Sequence, residues 1–211
     1  TIDVADVNEG PTQLSIEAPG SANLSLNENG GTGDVALMSN MSDFPTDALT
    51  LEMRFHSVDP APTHGVSLFS YAADSTNSSH SNEFLVWMPK GAEGTVKVFV
   101  AGRAYDTGID AGSILDGEMH DLAVTWDQET GELAVHVDGE AEYSQTISSR
   151  ALHSNGTIAL GQEQDTEGGR FDPNQIFEGQ IAEVRLFDHV RSDDEITDNA
   201  GSDISDPANT D

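Results

Sequence analysis

The sequence contains no cysteine, so neither a disulfide nor a thiolate metal site can form. Basic residues are few: 8 lysines and arginines stand against 38 aspartates and glutamates, which gives a formal net charge of −30 at pH 7. Because this charge repels a phosphate backbone, we expect no nucleic-acid partner. Aromatic residues make up only 6% of the chain. No long apolar run occurs either, so we expect no membrane insertion.

The remaining composition is that of a folded domain. A chain of 211 residues, 36% of them hydrophobic, can build one large β-sandwich around a single core. The acidic excess has two ordinary explanations, adaptation to a salty environment or saturation with divalent cations. Both would reduce the repulsion among the carboxylates.

Apolar side chains recur at every second position in several segments. Residues 49–55 and 122–126 alternate in this way, which predicts two half-buried strands, with Trp126 in the core. The second run continues through a short turn into 133–137, as in a β-hairpin. A similar hairpin is predicted from 84–87 and 96–100. Antiparallel pairing should therefore dominate.

We predict an all-β fold, a two-sheet antiparallel jelly-roll sandwich of the concanavalin A type, with one short helix near the C-terminus. The helix should start at the capping box Ser192–Glu195. The predicted domain covers 13–197, with a linker from a preceding module at 1–12 and a linker or tail at 198–211. The chain begins without methionine or a signal peptide, so we expect a module of a longer protein.

The densest polar stretch is 161–175, Gly-Gln-Glu-Gln-Asp-Thr-Glu-Gly-Gly-Arg-Phe-Asp-Pro-Asn-Gln, directly after the apolar run 158–160. Its double glycine allows a sharp turn. Ca²⁺ prefers six to eight oxygen ligands from carboxylates, amides and backbone carbonyls, and this loop contains all three kinds. Spacing alone leaves open a solvated acidic loop instead.

This stretch, followed by Gly-Gln-Ile-Ala-Glu-Val at 179–184, resembles the pentraxin branch of the laminin-G-like jelly rolls. Two further blocks agree in order: Phe-Ser-Tyr-Ala at 69–72 with Asn82-Glu83, and the block from His120 to Gly139. The resemblance extends from about residue 49 to residue 196.

The resemblance implies a paired calcium site on one face of the sandwich, holding two Ca²⁺ ions. Glu163 and Asp165 match the side chains that bridge both ions, Gln164 matches a backbone-carbonyl ligand, and Asn82 matches a ligand of the first ion. Asp172 and Gln175 match ligands of the second ion. The pattern has aspartate where this chain has Ser81, whose hydroxyl is a poorer ligand. Ser81 and Asp74, in the preceding loop, are therefore candidate additional ligands. Trp87, on the hairpin of Asn82, is a candidate for ligand contact.

The expected function is that of a calcium-dependent, lectin-like module of a secreted cell-surface adhesin, which binds a carbohydrate or another extracellular hydroxyl or anionic ligand. Asp6, Asn8 and Glu9 resemble the calcium-binding linker between cadherin-like repeats. Adjacent repeat modules of the same chain are therefore expected partners.

Two other functions stay open. Glu163, Asp165 and Glu167 have the E-x-D-x-E spacing of some jelly-roll β-glucanases, whose acids must lie on one strand face. A laminin-G-like module can also bind proteins or act as a spacer. The seven histidines show no His-x-His or His-Glu-x-x-His spacing, so zinc or copper is not expected.

Overall fold

A computed structural model of the chain describes residues 3–6, 13–17, 23–28, 33–73 and 80–202. The strands of this part of the chain are, in order, β1 (Asp3–Asp6), β2 (Gln13–Glu17), β3 (Leu24–Leu26), β4 (Ala36–Met41), β5 (Ala48–Ser57), β6 (Val66–Ala72), β7 (Phe84–Met88), β8 (Thr95–Val100), β9 (Arg103–Asp110), β10 (Met119–Asp127), β11 (Glu132–Val137), β12 (Glu140–Thr146), β13 (Gly156–Leu160) and β14 (Gly179–Phe187). A helix, α1 (Asp193–Asn199), follows the last strand. Short 3-10 turns lie at Gly91–Glu93 and Ala111–Ser113.

The strands form two antiparallel sheets. The first sheet has the order β1-β2-β14-β5-β10-β11-β12, with β3 also paired to β14. The second sheet has the order β4-β13-β6-β7-β8-β9. Both predicted hairpins are present, with Leu122 opposite Val137 and Phe84 opposite Val100. The predicted two-sheet sandwich is confirmed.

The core lies between the sheets and is built by the alternating side chains. β5 and β10 contribute the inward positions of the first sheet, and β6, β7, β8 and β13 contribute those of the second. Trp126 is fully buried there, as predicted, and its indole nitrogen donates to Ser149 Oγ at 3.2 Å. Among the described residues, no helix has the length and apolar character that crossing a membrane requires.

The expectation of two half-buried strands is wrong for both. In β10, all of residues 122–126 are buried. In β5, both faces are buried as well. Its outward side chains Thr50 and Glu52 are only 0% and 9% exposed, because the segment after β14 covers them. Thr50 donates to the carbonyl of His189 at 2.8 Å, and Arg191 donates to Glu52 at 2.8 Å. Asn199 of α1 donates to the same carboxylate at 3.2 Å. The outer face of the first sheet is therefore occupied by a charged network that holds α1.

The helix begins as the sequence predicts, with the reciprocal capping box of Ser192 and Glu195. It ends at Asn199, two residues beyond the predicted domain end at 197. At the other end, β1 pairs with β2 although it lies within the predicted linker 1–12. The rest of that linker lies outside the described residues.

Candidate metal and ligand site

The segment 161–178, here called the site loop, folds back over the outer face of the second sheet. β13 ends at Leu160, and Gly161 turns the chain at a φ of +83° while its N–H donates to Leu68 O at 3.1 Å. At its far end, Gln175 forms a parallel bridge with Gly65, just before β6. The site loop therefore crosses the sheet from β13 to the start of β6.

Gln164 holds the site loop on the sheet. Its side chain is fully buried, and its amide nitrogen donates to the carbonyls of Ser70 and Thr157, each at 3.0 Å. Its amide oxygen accepts from the N–H of Gly168 at 2.7 Å. Because the side chain is committed to these bonds, only the backbone carbonyl of Gln164 can serve as the metal ligand that the resemblance implies.

Asn82 and Glu163, 81 positions apart in sequence, meet at the start of the site loop. One terminal atom of the Asn82 amide lies 2.9 Å from Glu163 Oε1 and 3.0 Å from the carbonyl oxygen of Ser81. If that atom is nitrogen, Asn82 donates a hydrogen bond to each. If the amide is turned so that oxygen points there, three oxygens converge and a cation is needed among them.

Negative charge accumulates at Glu163. Burial raises its pKa to about 7, with further contributions from the charges of Asp165 and Asp172, while the Asn82 hydrogen bond opposes the rise. Asp165 is exposed, whereas Glu163 is only 6% exposed. Among the described residues, no lysine, arginine or histidine forms an ion pair with Glu163. The cluster therefore has the charge and the oxygen atoms of a cation site.

Gln175 and Trp87 lie together at the other end of the site loop. The N–H of Gln175 donates to the carbonyl of Asp172 at 2.9 Å, but within the described part of the chain its buried side-chain oxygen has no hydrogen-bond partner. The indole nitrogen of Trp87 is also buried and has no partner among the described residues. Both side chains approach Gly65, where a Cβ would lie 3.3 Å from the Trp87 nitrogen. A buried amide oxygen without a partner is a candidate ligand for the second ion of the predicted pair.

Of the six principal predicted ligands, the structure brings Asn82 to Glu163 and places Asp165 and Asp172 near enough to act on the charge of Glu163. Among the described residues, these three carboxylates do not all lie within 4.8 Å of one another. Gln164 follows Glu163 in the chain, and Gln175 lies against Gly65 and Trp87. Ser81 lies beside Asn82, with its carbonyl directed at the Asn82 amide. Asp74, Asn8 and Glu9 lie outside the described residues, and Asp6 is described only as part of the backbone of β1.

The E-x-D-x-E spacing does not lie along a strand. β13 ends at Leu160, and the following residues form a loop with isolated bridges. Glu163 is buried, Asp165 is exposed, and Glu167 accepts from Thr157 Oγ1 at 3.5 Å. The shared strand face that the glucanase hypothesis requires is therefore missing.

Glu83, Arg150 and His153 were not singled out from the sequence. The ligand-type atoms of His80, Glu83 and His153 lie within 4.8 Å of one another. However, both oxygens of Glu83 bind Arg150. The two imidazole rings are stacked 4.1 Å apart at 28°, so their in-plane lone pairs do not aim at one point. The geometry is that of an ion-pair cluster, and Arg150, one of only 8 basic residues, was the available signal.

The family model described as the Pentaxin family matches residues 29–205. The chain belongs to the pentaxin, or pentraxin, family. This pentraxin domain is 31% identical over 136 residues to the C-reactive protein of Cavia porcellus, which covers 64% of this chain and 56% of that protein. The curated relatives that it matches are longer, since it spans 61% of the C-reactive protein of Rattus norvegicus and smaller shares of the others.

Two solved structures share the pentraxin domain's fold. The heptameric SAP-like pentraxin of Limulus polyphemus has a TM-score of 0.59 at 20% identity, covering 82% of this chain and 85% of that one. A Ruminococcus gnavus sialidase carbohydrate-binding module, solved with α2,3-sialyllactose, has a TM-score of 0.57 at 17% identity, covering 78% of this chain and 91% of that one. At these identities, the likeness concerns the fold alone.

Proposed function

We propose that this pentraxin domain is a calcium-dependent carbohydrate-binding module of an extracellular adhesin. The observation that carries the proposal is the Glu163 cluster: a buried carboxylate faces the Asn82 amide, the charges of two further carboxylates act on it, and no basic side chain of the described residues pairs with it. Such a cluster is unfavourable unless a cation neutralises it. The family membership supports the choice of calcium.

Two ions would share the bridging carboxylates of Glu163 and Asp165. The first would also take the side-chain oxygen of Asn82 and the backbone carbonyl of Gln164. The second would take Asp172 and the orphaned amide oxygen of Gln175. When the Asn82 nitrogen donates to Glu163, binding the first ion requires this amide to turn its oxygen towards the ion.

Calcium with coordination positions left for water can exchange that water for ligand oxygens. Vicinal hydroxyls of a sugar, a carboxylate or a phosphate ester supply suitable pairs of oxygens. Trp87 adds a half-buried ring beside Gln175, and its neighbour Phe99 lies at a ring-centroid distance of 6.1 Å. These rings offer an apolar surface for the carbon face of a sugar.

Calcium titration of the full chain tests the metal part of the proposal. For a dissociation constant on the order of 10⁻⁴ M, typical of extracellular modules, millimolar calcium should stabilise the fold by about 1–3 kcal/mol per ion. Asp165→Ala should lose most of this gain, whereas Asp188→Ala, an exposed control, should keep it. An equal gain in both variants would contradict the assignment.

A glycan array tests the ligand part. Binding should appear in calcium, disappear in EDTA and be lost in Asp165→Ala. Glycan binding that persists in EDTA would refute the calcium-mediated mechanism. Calcium binding without any glycan signal would leave the metal site standing and favour a protein-binding or spacer role.

A hydrolase is a second candidate, because a buried glutamate with a pKa of about 7 is suited to general acid catalysis. The three acids have different surroundings, since Glu163 is buried and Asp165 is exposed, and this opposes the hydrolase. Turnover of a β-glucan that is lost in Glu163→Gln would establish the hydrolase. Absence of turnover at neutral pH would remove it.

We also propose an extracellular location and neighbouring repeat modules as partners. The acidic composition and the resemblance of Asp6, Asn8 and Glu9 to a calcium linker support this arrangement. A fusion of this domain to its preceding module should become extended and rigid in calcium, as small-angle scattering would detect. Scattering profiles that are the same in calcium and in EDTA would contradict the linker assignment.

A further inference from the structure

Next to Asn82 lies Glu83, a fully buried carboxylate. Asn82 and Glu83 lie in the turn directly before β7, where Asn82 contacts Glu163 while Glu83 contacts a different segment. Arg150 Nη1 donates to Glu83 Oε2 at 2.9 Å, and Nη2 donates to Oε1. The backbone N–H of His153 adds a third bond at 2.9 Å.

Three bonds hold the buried Glu83 carboxylate in place, two from the Arg150 guanidinium and one from the backbone N–H of His153. The pair is bidentate, which fixes direction as well as distance. Glu83 therefore occupies one orientation, and the backbone of Asn82 is held with it. The carbonyl of Asn82 also accepts from Gly102 at 2.9 Å.

Arg150 connects the two chain segments that meet at the candidate calcium site. It lies between β12 and β13, and β13 runs directly into Gly161 and the site loop. Its partner Glu83 lies next to Asn82 and directly precedes β7. The ion pair thus ties the segment that carries Asn82 to the segment that leads to Glu163.

We propose that Arg150 is a positioning residue for the first calcium ion. Through Glu83 it holds Asn82 at the distance from Glu163 that the ion requires, without touching the ion itself. Without Arg150, Glu83 loses both bonds of the pair, and Asn82 loses the fixed neighbour that holds it in position. This inference rests on the proposed function, since it concerns the same site.

The test is calorimetric titration of the full chain with calcium alone. Arg150→Met should weaken one of the two ions by about 10–100-fold, the usual effect of residues that orient metal ligands, and should change the other much less. Arg150→Lys, which keeps the charge, should recover part of the loss. Lys90→Met removes an equal charge at the opposite end of β7 from Asn82 and should leave both ions unchanged.

A double variant separates positioning from general stability. Glu83→Gln/Arg150→Met removes the ion pair without leaving a buried charge, so its unfolding in EDTA should lie close to that of the wild type. Under this proposal its first ion still binds weakly, because Asn82 is no longer held. Recovery of wild-type calcium affinity in the double variant would overturn the proposal, as would unchanged affinity in Arg150→Met. If the wild type itself binds no calcium, the proposed function fails first, and the two failures are distinct.

Discussion

Replacing Glu163 with glutamine should stabilise the calcium-free protein and remove most of the stabilisation that calcium provides. Burial, and then the charges of Asp165 and Asp172, raise the pKa of Glu163 from 4.5 to about 7. The folded chain therefore holds a proton here more tightly than the unfolded chain. Without calcium, the contribution of Glu163 to stability falls as the pH rises from 4.5 through 7, and the penalty is complete above pH 7.

The size of the effect follows from the same values. The difference between 4.5 and about 7, at roughly 1.4 kcal/mol per pKa unit, corresponds to about 3 kcal/mol at pH 8. Glutamine carries no charge and should regain most of this energy. At about 2–4 °C per kcal/mol for a domain of this size, the melting temperature in EDTA should rise by roughly 6–12 °C.

The assays, at pH 8 in EDTA and in millimolar calcium, are thermal unfolding for the melting temperature and urea unfolding for the free energy of unfolding. Glu129→Gln, at an exposed position in the turn between β10 and β11, is the matched control and should behave as the wild type under both conditions. Calcium should raise the free energy of unfolding of the wild type and should raise that of Glu163→Gln much less. Destabilisation of the calcium-free protein by Glu163→Gln, or an undiminished calcium effect, would refute the reasoning.

Three further outcomes are expected. Gln164→Leu should destabilise the protein by about 2–4 kcal/mol even in EDTA, because it strands buried backbone groups, whereas the exposed control Gln128→Ala should change little on urea unfolding. Desolvation lowers the pKa of His120, but its hydrogen bonds to Asp138 and Asp116 outweigh this and raise the pKa. His120 should therefore stabilise the fold at low pH, and this contribution should fade as the pH rises through the raised pKa. An NMR titration that gives an ordinary or lowered pKa would contradict this. Ser192→Ala should cost about 1 kcal/mol by loss of the helix cap, measured by thermal unfolding.

Much of the fold could be predicted because its signals are local. The period of two in 49–55 and 122–126 indicates strands without knowledge of their partners. The capping box Ser192–Glu195 marks a helix start for the same reason. The prediction that β5 is half-buried was wrong because alternation identifies the inward face of a strand but does not show what covers the outward face. There, Glu52 is enclosed by Arg185, Arg191 and Asn199.

The candidate site, too, could be predicted from the sequence only in part. The block 161–175 concentrates oxygen donors within 15 residues, so the sequence pointed to this loop, and the family resemblance supplied the predicted ligands. The sequence could not predict the pairing of Glu83 with Arg150, because 67 residues separate them and no local pattern links a buried acid to a distant base.

By itself, the sequence determined the strand pattern, the helix start, the absence of thiol chemistry and the acidic loop, since each depends on neighbours along the chain. Only the tertiary structure decided that Asn82 lies beside Glu163 and that the side chain of Gln164 holds the loop on the sheet. It also decided that the buried side-chain oxygen of Gln175 has no partner among the described residues. These features arise where two sheets and a folded-back loop exclude water. Burial changes the energy of a charge or an amide there in a way that the order of residues does not reveal.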